Sequence, residues 1–139
     1  AAAVWLLIAL VETAHGLLRR ALVLPWAGEA LAHRIGVATG AVLVLATTFA
    51  CIRWMGLVPV SGATPQEHAA LTGAQWQVGA AWGLAMLAFG FGLGRAAGVP
   101  AERVLAEYDP RRGGWMLAGM ATLAAAPWLT ARLRQGARR

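Results

Sequence analysis

Four apolar runs separated by short polar stretches set the pattern of this chain. The first, Ala1–Leu18, carries no charge before Glu12 and ends at Arg19-Arg20. It is about long enough for a helix to cross a hydrocarbon layer, which takes roughly 17–25 residues. The second, Ile35–Met55, lies between Arg34 and Arg53-Trp54, and its only interior polar side chains are threonines and Cys51. The third announces its own start. In Thr64-Pro65-Gln66-Glu67 a threonine can cap a helix, a proline suits its first position, and a glutamate stands where it can close a capping box. A helix is therefore expected from near Pro65 to about Gly94. The fourth run, Trp115–Leu129, is short and holds Pro127, and the basic tail Thr130–Arg139 reads as frayed. Two connections carry structure of their own: Ala21–Arg34, with Pro25 and Trp26, and Pro100–Tyr108, which places Val104, Leu105 and Tyr108 on one side and pairs Arg103 with Glu107 before Asp109-Pro110 stops it. The pattern predicts an all-α integral membrane four-helix bundle, a single domain over 1–139. The spans fall near 1–18, 35–55, 74–94 and 115–129, with short interfacial helices in the first and third loops.

The tryptophans fit that layout. With alternating spans, Trp5, Trp54, Trp76 and Trp128 fall near one membrane face and Trp26 and Trp115 near the other, as an aromatic belt requires, which leaves Trp82 in mid-span. The arginines orient it. Arg19, Arg20, Arg34, Arg95, Arg103, Arg111 and Arg112 share the Trp26 side, against Arg53, Arg132, Arg134, Arg138 and Arg139 on the other, so the first group is expected in the cytoplasm and both termini outside. Because basic residues follow the first apolar core instead of preceding it, Ala1–Leu18 reads as a retained span and not a cleaved leader.

Composition agrees. The chain is 59% hydrophobic and 13% charged, against about 45–50% and about 25% in soluble domains. Its net charge of +6 comes entirely from arginines that flank apolar runs. That distribution suits anionic lipid headgroups and argues against nucleic acid. The lone Cys51 can build neither a disulfide framework nor a thiolate cluster within one chain.

Small residues four apart let helix backbones approach closely in lipid. Gly36 and Gly40 do this on the second span, and Gly79/Gly83 and Gly90/Gly94 on the third, so these two helices are the expected tight pair.

Chemistry concentrates in Glu12-x-x-His15-Gly16-x-x-Arg19, where an acid, an imidazole and a guanidinium share one face of the first helix. Ionisable groups inside a span are costly and turn inward, which marks a candidate site. One reading is a structural ion-pair cluster of Glu12, His15, Arg19, Arg34 and Arg95. A second is metal binding, with Glu12 and His15 joined by Glu29 and His33, a spacing like that of di-iron bundles but short of their carboxylates. A haem held by two histidines would need one from a partner chain. A third is lipid- or phosphate-handling catalysis with the arginines as an anion clamp and His15 as acid or base, although no activated nucleophile or phosphate loop accompanies it.

The sequence Glu12-x-x-His15-Gly16-x-x-Arg19, with Pro25, Arg34-Ile35-Gly36, Gly94-Arg95 and Tyr108-Asp109 ahead of Gly113-Gly114, resembles small bacterial inner-membrane proteins. That resemblance implies a location and no activity or cofactor. Small size, glycine-lined helices and an incomplete catalytic set point first to a non-catalytic accessory or structural subunit that packs in a larger membrane complex or with copies of itself.

Overall fold

Gly28 decides how the first half of the chain folds. In the computed structural model, which describes residues 1–109, 111 and 114–137, helix α1 (Ala2–Leu18) runs into a π turn at Arg19–Val23 and then into α2 (Leu24–Cys51). Gly28 interrupts α2 with φ 72 and ψ 168. A side chain is strained at such a backbone conformation, whereas glycine adopts it freely. The chain reverses there. Residues up to Ala27 prolong the first arm, and Glu29–Cys51 returns antiparallel to it, so that Glu12 stands opposite Gly40, His15 opposite Thr39 and Arg19 opposite Gly36.

The predicted interfacial helix over Ala21–Arg34 is therefore corrected: its two halves belong to the two arms. Pro25 explains how the first arm survives. A proline lacks the N–H for the regular helical bond, and its ring crowds the carbonyl four residues back. Just ahead of it the Leu24 N–H bonds the Arg19 carbonyl, five residues back, and this wider π register eases the crowding.

After a turn through Gly56 and Gly62, α3 spans Pro65–Ala96 with the capping box in place: Glu67 N–H donates to Thr64 Oγ1 at 3.3 Å, and Thr64 N–H donates to Glu67 Oε2 at 2.6 Å. A short helix, α4 (Ala101–Ala106), follows, and α5 (Met116–Gly136) ends the described chain. All elements among the described residues are helical. Two stretches, Ala2–Cys51 and Pro65–Ala96, are long and apolar enough to cross a membrane. The predicted stop at Pro110, the loop residues Arg112 and Gly113, and the tail residues Arg138 and Arg139 lie outside the described residues.

Helix α5 is central. It packs against both α2 and α3, while α1 packs against α2. It runs parallel to α2, since the Trp115 N–H meets His33 and Arg134 meets the Phe49 carbonyl. Against α3 it runs antiparallel: Gly79 faces Ala124 and Gly83 faces Met120. One core joins the four long helices through Val4, Ile8, Val44, Trp82, Leu123 and Ala126, and Trp5 of α1 reaches Phe89 of α3 edge-on.

Two further expectations change here. The predicted close pair of second and third helices gives way to two other pairs, because Gly36 and Gly40 face α1 and Gly79 and Gly83 face α5; Gly94 and Gly90 receive Val104 and Tyr108 from the α4 segment. The fourth helix is also longer than its apolar run. Thr130 and Ala131 are fully buried, so packing carries α5 through residues that read as tail.

Candidate functional site between α1 and α2

The inward face of α2 is a stripe at four-residue spacing, Ala32, Gly36, Gly40, Val44 and Thr48, all buried. Its two glycines leave room for what α1 brings. A Cβ on Gly36 would collide with the Arg19 side chain, and one on Gly40 would stand 2.8 Å from Glu12 Oε2. Arg19 lies along the groove and donates from Nη1 to the Ala32 carbonyl at 3.4 Å. Polar side chains of α1 thus occupy space that the missing side chains of α2 leave open.

Between them sits His15. Its Nδ1 is 3.7 Å from Glu12 Oε2, an ion-pair separation longer than a hydrogen bond. Its Nε2 is 2.7 Å from Thr39 Oγ1. The Thr39 hydroxyl has one proton and two acceptors in reach, the Ile35 carbonyl at 2.8 Å, the usual back-bond of a helical threonine, and the ring nitrogen. With the proton on the carbonyl, Nε2 donates to Thr39; with it turned to the ring, Nε2 accepts and Nδ1 donates toward Glu12 Oε2. The other carboxyl oxygen, Oε1, is buried with no hydrogen-bond partner, an omission worth about 1–3 kcal/mol.

The site brings together three of the residues singled out from sequence: Glu12, His15 and Arg19. Arg34 and Arg95, the other members of the proposed cluster, are elsewhere. Arg34 is exposed, and Arg95 donates to the Val99 carbonyl at 3.2 Å in the turn after α3. The ionisable partner of Glu12 is His15, because the reversal at Gly28 lays the return arm's glycines, and not its arginine, against the carboxyl group.

Glu29 and His33 also stay apart from the pair. Glu29 is exposed, while His33 Nε2 accepts from the Trp115 backbone N–H at 3.4 Å, on the α5 side of the return arm. Among the described residues no group of three or more His, Cys, Asp and Glu side chains could hold a metal ion. Glu12 and His15 alone offer two ligands.

Thr39 is the member that sequence reasoning passed over. Its signal is its place between Gly36 and Gly40 on a span whose interior polar groups are threonines. Gln75 is a second: it is 3% exposed and ties α3 to the preceding turn by donating to the Leu57 carbonyl at 2.8 Å. Comparison with protein-family models, with curated proteins and with solved structures finds no match for this chain.

Proposed function

We propose that this chain is an integral membrane protein whose four long helices form a bundle, and that it serves as a non-catalytic accessory or structural subunit, in a larger membrane complex or with copies of itself. The bacterial inner membrane is the setting its arginine pattern and the resemblance favour. One observation carries the reading: the surface is inverted. Leu6, Leu10 and Leu17 of α1 and Leu84 of α3 are each more than 60% exposed, while Thr48, Gln75 and Thr130 are at most 3% exposed. In water, apolar surface on that scale costs roughly 25 cal/mol for each Å² left uncovered; in a bilayer it costs nothing.

The subunit role follows from what the polar site offers. His15, Thr39 and Arg19 are engaged with one another or with helix carbonyls, and Glu12 faces His15 through Oε2 while its Oε1 has no hydrogen-bond partner. Their effect is to fasten α1 to α2 in a solvent where burial of apolar side chains gives little net drive for helix association.

Carbonate washing of membranes followed by native mass measurement in a mild detergent tests both halves. The expected result is a chain that stays in the membrane pellet and migrates at a multiple of 14.5 kDa or with a second protein. Release by carbonate overturns the membrane assignment, and a lone monomer overturns the subunit role.

A further inference from the structure

A polar cavity of about 350 Å³ opens where α3 begins and α5 ends, lined by Pro59, His68, Thr72, Gln75, Arg132 and Gln135. One helical turn further in, Trp76 and Trp128 stack with their centroids 5.7 Å apart, and the Arg132 guanidinium lies 5.2 Å over the Trp128 ring. Tryptophan pairs of this kind sit at the level of lipid headgroups, so on the membrane reading given above the cavity lies at phosphate depth. Its lining suits an anion. Arg132 is permanently charged and presents a planar fork of donors that matches phosphate oxygens. The Trp128 ring beneath it holds that fork without neutralising it. His68 donates from Nδ1 to the Thr64 carbonyl at 3.0 Å and Thr72 donates its hydroxyl proton to the His68 carbonyl at 2.9 Å, so the donors left for an anion beside Arg132 are the Gln135 amide and, when the ring carries its second proton, His68 Nε2. The nearest acid, Glu67, is turned back onto Thr64 in the capping box and belongs to the neighbouring groove.

We propose that this cavity binds the phosphodiester headgroup of an anionic phospholipid, with Arg132 as its principal contact. The proposal rests on the membrane reading but is tested separately, on the full chain purified in detergent. Dihexanoyl phosphatidylglycerol is titrated against it and the bound equivalents are counted by native mass spectrometry, with inorganic phosphate and dihexanoyl phosphatidylcholine in parallel.

One saturable equivalent of the anionic lipid is expected, weakened about tenfold by Arg132→Gln. His68→Gln, which leaves the tryptophan stack untouched, should weaken it in the same direction. Arg134→Gln should not, because that guanidinium is spent on the Phe49 carbonyl and ring. Unchanged binding in both Arg132→Gln and His68→Gln overturns the proposal. So does equal binding of the choline lipid, and so does displacement by inorganic phosphate at matching concentration, which would make the site one for the free ion. If carbonate releases the chain from membranes, it is the membrane assignment that has failed, whatever the titration shows.

Discussion

The contact between α3 and α5 can be tested with one chemical change made at two places on the same helix. At Gly79 an added Cβ would overlap the Ala124 carbonyl oxygen and lie 2.8 Å from its carbon and 3.2 Å from Ala124 Cα. Those atoms are backbone, so the helices themselves must part. At Gly73, earlier on α3, the same Cβ meets nothing within 4 Å. Replacing glycine by alanine within a helix gains about 0.8–1.0 kcal/mol at either position. Forcing a methyl group into a closed interface costs about 1–3 kcal/mol. The propensity gain is common to both variants and cancels in their difference. Gly79→Ala should thus be about 1–3 kcal/mol less stable than Gly73→Ala, and Gly73→Ala should be at least as stable as the parent. Reversible unfolding by SDS titrated into a mild detergent, followed by far-UV circular dichroism, measures that difference. Equal midpoints for the two variants would refute the close backbone approach of α3 to α5.

The polar fastening of α1 to α2 predicts a second contrast. Thr39→Val removes the partner of His15 Nε2 and should cost about 0.5–1.5 kcal/mol, while Thr13→Val, which loses only the bond to its own helix at the Ala9 carbonyl, should cost distinctly less in the same unfolding assay. The third prediction concerns Tyr108, the one tyrosine in the chain. Burial first, and the Glu107 carboxylate second, push its hydroxyl above the ordinary value of 10.0. The folded state therefore keeps the phenol proton longer than the unfolded state does; its share of stability is complete below pH 10 and is lost as pH climbs through the folded value. Ultraviolet titration of the phenolate should show ionisation later in the folded protein than in the unfolded chain, and coincident curves would contradict the packing of Tyr108 over Gly90.

Much of the helical layout was legible because it depends on neighbours in sequence. The capping box at Thr64-Pro65-Gln66-Glu67 and the inward face shared by Glu12, His15 and Arg19 follow from spacing alone: side chains three and four apart meet on any helix. The end of α5 was not legible. Thr130 and Ala131 open a stretch broken by Arg132, Arg134 and Gln135, and they are helical and buried where α5 packs against α2 and α3.

What the chain determines by itself, then, is which segments are helical, that Glu12, His15 and Arg19 share one face of the first, and that Ala2–Cys51 and Pro65–Ala96 are long and apolar enough to cross a membrane, since these are properties of local pattern and composition. Which face meets which neighbour was decided only in three dimensions. A glycine stripe states that something comes close and not what comes close, so Gly36 and Gly40 would have served α3 as well as α1. Gly28, with its left-handed backbone, settled the matter: by turning the first arm back there, it delivered Glu12 to Gly40 and His15 to Thr39 and left Arg34 and Arg95 out of reach. The partner of a buried charge depends on the path of the chain between two helices, and that path is a tertiary property.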